Sequence, residues 1–253
     1  MKVRFADEQL SSDHVQLFTL LRDKKVNQLM DFIGNHIELC KNYVDDDNRS
    51  LLHLVCEIQD YNLIERTLQI VTNKNPKDEM ESTPLLLAVA SASSDQPTNG
   101  EEDNDYKIIK LLLDNGCDIT LTNKRKLNVY HHAASRGRLD LIQLFVSKWK
   151  QGLSQKDKYG NTPLHRAVVS GNIECVKFIV KKTYTLLSQN GLKKTPLHIA
   201  CEEQNMEMIK TLIDLGADAD MKDEEDKYPF QFIDDRNNFK GICEYYKQVN
   251  SKK

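Results

Sequence analysis

The stretch that decides the fold is TPLHRAVVSGNIECVKFIV at residues 162–180. A histidine directly before an arginine would suit an active site if it occurred once, but the pattern recurs. TPLHIACEEQNMEMIKTLI follows at residues 195–213, and HHAASRGRLDLIQLFV precedes at residues 131–146. The motif therefore belongs to an internal repeat, and its residues must be explained as parts of that repeat.

The repeat has a nearly constant period. The fourth residue of the TPLH core aligns at His53, Leu86, His131, His165, His198 and Gln231, with intervals of 33, 45, 34, 33 and 33 residues. A period near 33 with this core and a following Ala-Ala or Ala-Cys is typical of ankyrin repeats. The long interval holds 12 additional residues, and SASSDQPTNGEEDND at residues 91–105 predicts a polar insertion loop there.

The pattern predicts an all-α ankyrin-repeat solenoid in one domain, residues 1–253, with seven helix-turn-helix repeats and short β-turn fingers. The expected repeats are approximately 13–44, 45–77, 78–122, 123–156, 157–189, 190–222 and 223–250. Thr and Pro should start the first helix of a repeat, and Gly137 or Gly171 should end it in a left-handed conformation. Several finger glycines of the ankyrin consensus are replaced, by Asn48, Glu81, Lys126, Lys193 and Asp226. These replacements predict less regular finger turns.

The histidines of the motif are predicted to be structural. His53, His131, His165 and His198 occupy one position of the repeat, where an imidazole can bridge the Thr hydroxyl and nearby backbone groups. The neighbours His131 and His132 point about 100° apart on a helix and do not converge on one metal ion. The sequence contains no phosphate-binding glycine loop, zinc-peptidase motif or activated nucleophile. We therefore expect no enzyme activity, cofactor or metal.

Composition narrows the range of partners. The net charge of -3, from 35 basic and 38 acidic residues, gives no bulk attraction to nucleic acid or to an anionic membrane. No apolar run approaches the roughly 20 residues of a spanning helix, and the first residues do not form a secretory signal pattern. Six scattered cysteines without C-x-x-C spacing favour buried, reduced thiols. We expect a cytoplasmic and nuclear protein that is monomeric by itself.

Three blocks resemble one family within the ankyrin class. DDDNRSLLHLVC at residues 45–56, KDKYGNTPLHRA at 156–167 and TPLHIACEEQNMEMIKTLIDLGADADMKDEEDKYPF at 195–230 are similar to blocks of the gankyrin family, the seven-repeat chaperones of proteasome assembly. The resemblance implies binding to the C-terminal domain of one ATPase subunit in the base of the regulatory particle, before the base docks on the proteolytic core. The alternative is an ankyrin adaptor that regulates transcription or cell-cycle kinases.

In an ankyrin array the finger residues before TPLH and the end of the first helix line a concave surface, which predicts the partner-binding residues. One end is mainly acidic, with Asp46, Asp47, Arg49, Glu57 and Glu79. The middle is basic, with Lys124, Arg125, Arg136, Lys158 and Arg166 around Tyr159. The far end is mostly acidic again, with Lys194, Glu202, Glu203, Glu224, Glu225 and Lys227. Separated charges of this kind favour one orientation of a partner over the reverse.

Overall fold

The computed structural model describes residues 12–94 and 102–251. Within these ranges the chain is helical and contains no β-strand; one isolated antiparallel bridge joins Val44 and Ser50. The contacts divide the chain into two compact units, one ending at Lys124 and one beginning at Arg125. The predicted all-helical repeat class is confirmed.

The first unit contains seven α-helices within its described residues. They are α1 (Ser12–Arg22), α2 (Val26–Asn35), α3 (Ile37–Asn42), α4 (Leu51–Ile58), α5 (Tyr61–Ile70), α6 (Pro84–Ser91) and α7 (Asn104–Asp114). Helix α4 packs on α5 and α6, and α6 packs on α7. The unit is thus built from consecutive helix pairs, α1 with α2, α4 with α5, and α6 with α7.

The second unit continues the same arrangement. Its α-helices are α8 (Val129–Ser135), α9 (Leu139–Lys148), α10 (Pro163–Val169), α11 (Ile173–Lys182), α12 (Pro196–Glu202), α13 (Met206–Asp214) and α14 (Arg236–Asn250). Short 3-10 helices span Lys150–Ser154, Thr185–Leu187 and Pro229–Phe232. Helix α10 packs between α8 and α12, and α12 packs on the last 3-10 helix. This 3-10 helix takes the place of the first helix of the final pair.

Local sequence sets where the first helices begin and end. The Thr195 hydroxyl accepts a hydrogen bond from the His198 backbone, and Pro196 opens α12, where no N–H donor is required. After α8 and α10 the chain turns at Gly137 and Gly171, whose φ angles of 67° and 73° lie in the left-handed region. The predicted start and stop signals are confirmed at these positions.

The core lies between neighbouring helix pairs in each unit. Leu164 and Leu197 of the TPLH cores are fully buried, and so are Ala167 and Ala200 on the same helices. The small alanine side chains let α10 and α12 approach closely. Little unfilled space then remains between these helices, as the close packing of protein interiors requires. Within a unit, each helix pair therefore buries its apolar face against the next pair.

The cysteines lie in this interior as reduced thiols. Five of the six are buried, and Cys243 is half-buried. Burial raises the pKa of Cys40 to about 11 and that of Cys117 and Cys175 to about 12, because the apolar surroundings disfavour the thiolate. These thiols contribute to packing, as the sequence predicts.

A repeated histidine joins the first helices α4, α8, α10 and α12 to the following finger, whereas α6 carries Leu86 at this position. In His165, Nδ1 accepts a hydrogen bond from the Thr162 backbone N–H at 3.2 Å, so the proton resides on Nε2, which donates to the Lys194 carbonyl at 3.1 Å. His198 makes the same bridge from Thr195 to the Lys227 carbonyl, at 3.1 and 3.2 Å. In the first unit His53 reaches the Ser82 carbonyl at 3.0 Å. The structural role predicted for these histidines is confirmed.

The expectation of irregular finger turns is wrong. Asn48, Glu81, Lys126, Lys193 and Asp226 all adopt the left-handed conformation, with φ between 54° and 61°. Gly160, at the same position of its finger, has a φ of 76°, in the same left-handed region. Hydrogen bonds from the finger backbone hold this geometry, although a left-handed L-residue costs about 1–2 kcal/mol.

The predicted insertion loop at residues 91–105 includes folded residues at both ends. Asp103 caps α7 by accepting from the Tyr106 N–H at 2.7 Å, and Asp105 accepts from the Ser93 N–H at 2.8 Å. Ala92 is fully buried. The centre of the loop, residues 95–101, lies outside the described residues.

Replacing a left-handed finger residue with glycine should stabilise the protein. We expect Lys193→Gly to raise the free energy of unfolding by about 0.5–1 kcal/mol, because glycine adopts positive φ without a Cβ clash. Gly160→Ala is the matched opposite change, and it should destabilise more strongly, because its Cβ would lie 2.6 Å from the Gly191 nitrogen. Urea denaturation measures both. A stabilising alanine at 160 would contradict this account.

Protonation of His165 should weaken the fold. Burial lowers its pKa to about 4, whereas the unfolded side chain has an ordinary pKa near 6.5. Between these pKa values the unfolded state binds more protons than the folded state. The contribution of neutral His165 to the free energy of unfolding is therefore full above about pH 6.5, and it declines as the pH falls toward 4. At pH 5 the free energy of unfolding should therefore be lower by about 2 kcal/mol.

His165→Gln provides the reference for this pH dependence. Gln231 stands at the corresponding position of the last repeat, where its Oε1 accepts from the Tyr228 N–H at 2.6 Å. Glutamine does not titrate, so the gap in unfolding free energy between the original protein and the variant should shrink by about 2 kcal/mol from pH 7 to pH 5. A gap that is independent of pH would assign the linkage to other residues.

Candidate partner-binding surface

Each finger is a six-residue turn held by its first side chain. In the finger 157–162, Oδ1 of Asp157 accepts from the backbone N–H groups of Tyr159 and Asn161 at 2.8 and 2.9 Å. Asn190 does the same for Leu192 and Lys194, both at 3.0 Å. This Asx turn fixes the backbone, and in these two fingers it leaves Lys158, Tyr159 and Leu192 exposed.

Backbone hydrogen bonds align neighbouring fingers within each unit. In the first unit the Glu79 N–H donates to the Asp47 carbonyl at 2.9 Å. In the second unit three bonds of the same type connect four fingers: Lys158 to Arg125 at 2.8 Å, Gly191 to Tyr159 at 2.8 Å, and Glu224 to Leu192 at 3.0 Å. The third residue of each finger therefore takes an equivalent place in one row.

The acidic end predicted for the first unit is built around an internal ion cluster. Arg49 contacts Asp45 at 2.8 Å, Asp47 at 3.5 Å and Glu57 at 3.3 Å. The Asp45 carboxylate is fully buried, and the Arg49 side chain is only 19% exposed. Arg49 thus connects the finger to the end of α4 and partly neutralises the acids around it, while Asp47, Glu57 and Glu79 remain exposed.

Asp46 does not present its charge as predicted. Both carboxylate oxygens are buried, and they have no hydrogen-bond partner within the described structure. These covered oxygens are less accessible to a partner than an exposed carboxylate would be. The exposed acids of this finger reduce to Asp47.

Several predicted charges of the second unit also pair internally. Arg166 donates to the buried Asp157 at 2.6 Å, and Lys194 pairs with Glu202 at the end of α12. Burial alone would raise the pKa of Asp157, but the Arg166 hydrogen bond and the backbone N–H groups lower it on balance. Lys227 pairs with Glu225 at 2.5 Å. These pairs reduce the number of unpaired charges that are available to a partner.

An aromatic ring that sequence reasoning missed supports two of these lysines. Nζ of Lys194 lies 5.1 Å from the centre of the Phe232 ring, and Nζ of Lys227 lies 5.7 Å from it. Cation–π contacts of this kind are worth about 0.5–1 kcal/mol at exposed sites. Phe232 belongs to the last 3-10 helix, and its position between two fingers depends on tertiary packing.

Other predicted residues lie open to solvent. Within the described ranges Lys124, Lys158, Glu203 and Glu224 are exposed and make no ion pair. Arg125 and Arg136 are exposed as well, and the Tyr159 side chain is 58% exposed. Sequence reasoning missed Leu192, which is 48% exposed in the next finger. Its third position in the finger, shared with Tyr159, is the signal that would have found it.

The described residues offer no metal centre and no membrane helix. Among them no group of three or more His, Cys, Asp or Glu side chains is arranged to hold a metal ion. None of the helices in this part of the chain has the length and apolar character needed to cross a bilayer. The open fingers are the feature of these units that suits recognition of another protein.

Comparison with known proteins assigns the family. The model for ankyrin repeats in three copies matches residues 101–190, and the single-repeat model matches residues 193–224. An ankyrin repeat-containing protein of Schizosaccharomyces pombe is 32% identical over 206 residues, which cover 80% of this chain and 84% of the relative. The chain belongs to the ankyrin-repeat family. Ankyrin repeats are typically non-enzymatic modules that bind other proteins.

Two further relatives have functional names. The probable 26S proteasome regulatory subunit p28 of Saccharomyces cerevisiae is 27% identical over 158 residues, covering 60% of this ankyrin-repeat chain and 63% of that protein. Mouse protein phosphatase 1 regulatory subunit 27 is 36% identical over 112 residues, covering 44% and 71%. The human ASB11 ankyrin repeat domain superposes with a TM-score of 0.75 at 19% identity, covering 90% of this chain and 96% of that structure. This last likeness shows the fold.

We expect substitutions of Arg166 and of Lys158 to change the stability of the protein by different amounts, although the sequence predicts the same partner-binding role for both. Arg166→Met leaves the buried Asp157 carboxylate without its charged partner, and we expect a loss of about 2 kcal/mol in unfolding free energy. Lys158→Met alters an exposed side chain and should change the value by less than about 0.5 kcal/mol. Chemical denaturation of both variants tests this, and equal effects would contradict the internal role of Arg166.

Proposed function

We propose that this protein is a non-enzymatic chaperone for assembly of the 26S proteasome regulatory particle. It binds the C-terminal domain of a base ATPase subunit through the finger tips and first-helix ends. The observation that supports this most directly is the similarity to yeast p28, together with the charged blocks at residues 45–56, 156–167 and 195–230. As a monomer in the cytoplasm and nucleus, it would meet ATPase subunits before they are incorporated.

The proposed mechanism requires no chemistry. The chaperone covers one face of the ATPase domain and blocks early docking until a competitor or a conformational change removes it. Lys158 and Arg125 sit on adjacent fingers connected by a backbone hydrogen bond of 2.8 Å, so they offer a basic pair to acidic groups of the ATPase domain. Complementary charge of this kind speeds association and fixes orientation.

A second candidate function is an adaptor that directs a signalling enzyme or a transcription regulator. The specific observation for it is the 36% identity with protein phosphatase 1 regulatory subunit 27 over 112 residues. The same fingers would serve this function, and only the partner would differ. Binding to purified protein phosphatase 1 but not to any ATPase domain would favour it.

Charge reversal on the basic pair tests the chaperone proposal. We expect the Arg125→Glu, Lys158→Glu double variant to bind the ATPase domain at least 30-fold more weakly, about 2 kcal/mol, because repulsion replaces attraction. Titration of each purified base ATPase C-terminal domain by calorimetry gives the affinity. Reversing the opposing acidic residues on the ATPase domain should restore part of the loss.

The matched control changes the charge by the same amount elsewhere. Lys181→Glu with Lys240→Glu alters exposed residues on the second helices α11 and α14. This variant should bind within about threefold of the original protein. Failure of the unmodified protein to bind any base ATPase domain would overturn the proposed function.

A further inference from the structure

Two exposed apolar side chains stand side by side in the finger row of the second unit. Tyr159 is 58% exposed and Leu192 is 48% exposed, and each is the third residue of its finger. The Gly191 N–H donates to the Tyr159 carbonyl at 2.8 Å, so these two fingers are in direct backbone contact. Large apolar side chains placed together on a surface are typical of interaction sites.

The contact between these fingers depends on two glycines. A Cβ at Gly160 would lie 2.6 Å from the Gly191 nitrogen, and a Cβ at Gly191 would lie 2.9 Å from the Tyr159 carbonyl oxygen. Neither position can carry a side chain unless the backbone shifts. The two glycines thus permit the close backbone approach that places Tyr159 and Leu192 on adjacent fingers.

The backbone under both apolar residues is fixed before any partner arrives. The Tyr159 N–H donates to Asp157 at 2.8 Å, and the Leu192 N–H donates to Asn190 at 3.0 Å. The Leu192 carbonyl in turn accepts from the Glu224 N–H at 3.0 Å. Binding therefore orders only the side chains, which lowers the entropic cost of using them.

Charge changes sign across this apolar pair. On one side lie the exposed Arg125 and Lys158, and the finger of Leu192 adds Lys193. The following finger carries the exposed acids Glu224, Glu225 and Asp226, of which Glu225 and Asp226 pair with lysines. An apolar centre with charged borders is the arrangement in which a few residues supply most of the affinity of an interface.

We infer that Tyr159 and Leu192 form the affinity centre for the protein partner, a folded domain with an apolar patch between an acidic and a basic group. The acidic group of that domain faces Arg125 and Lys158, and its basic group faces Glu224. This inference rests on the proposed function, since it concerns the same surface. The apolar pair supplies most of the affinity and the charges set the orientation of the partner, because exposed ion pairs contribute little to the free energy of binding.

The test compares two Tyr–Leu pairs of the same unit. Tyr159→Ser with Leu192→Ser should weaken binding to the base ATPase C-terminal domain by at least about 100-fold, chiefly through faster dissociation. Tyr184→Ser with Leu187→Ser removes a tyrosine and a leucine that are 104% and 46% exposed near the end of α11, and it should bind within about threefold of the original. Tyr159→Phe with Leu192→Met keeps the apolar surface and should retain the affinity.

Ionic strength separates the apolar pair from the charges. Association and dissociation rates are measured by surface plasmon resonance at about 50 and 300 mM salt, where exposed charges are screened differently. The effect of the serine pair should be the same at both concentrations, whereas Lys158→Glu should mainly slow association and do so more at low salt. Circular dichroism checks that each variant is folded.

The outcomes are distinct. If the original protein binds and the Tyr159, Leu192 serine variant matches it, the inference is overturned while the proposed function stands. Equal weakening by the Tyr184, Leu187 control also overturns it, because a nonspecific loss of apolar surface would then explain the result. If the original protein binds no base ATPase domain, the proposed function fails and the inference fails with it.

Discussion

The hydrogen bond from a buried histidine to the carbonyl of the next finger is the contact on which the arrangement of each unit depends. The His165 imidazole accepts a hydrogen bond through Nδ1 from the Thr162 N–H at the start of its own helix. Through Nε2 it donates to the Lys194 carbonyl of the following finger. Because an unpaired buried polar group is costly, this bridge holds helix and finger in one relative position. Without it, the Lys194 carbonyl would lose its bond to α10, and the backbone bonds between neighbouring fingers would have to hold the finger in place.

Finger geometry follows from that fixed position. Asp157 and Asn190 close their turns through side-chain oxygens, and backbone bonds then connect one turn to the next. This constraint is strong enough to hold Lys193 at positive φ, which its side chain disfavours. The surface available to a partner is therefore set by main-chain contacts, with side chains placed on it.

Local signals in the sequence were sufficient for the fold. The TPLH core predicts the cap at Thr195, the proline start of α12 and the glycine turn at Gly171, because each depends on residues within a few positions. The prediction of irregular finger turns is wrong because the local Asx turn of Asn190, with bonds to the N–H groups of Leu192 and Lys194, holds Lys193 at positive φ. Propensity yields where the surrounding backbone is already fixed.

The candidate surface was less predictable for a different reason. The sequence shows the sign of each charge and its position in the finger, but it does not show which charged residues form ion pairs. Arg49 with Glu57 and Lys194 with Glu202 join residues eight apart, a spacing that no single helix or strand would bring together. Burial of the Asp46 oxygens likewise depends on packing that the acidic run 45–47 does not reveal. The repetition of the eight-residue spacing in two repeats is the one sequence signal for such pairs.

Main-chain bonding between fingers separates the residues that folding requires from those that partner recognition requires. The fingers are connected by N–H and C=O groups that every residue except proline provides, so the third side chain of a finger is not needed for folding. That position is held by Asp47, Met80, Arg125, Tyr159, Leu192 and Glu225, six different residue types. Single substitutions at these positions can therefore change which partner is bound without disturbing the helices or their histidine bridges.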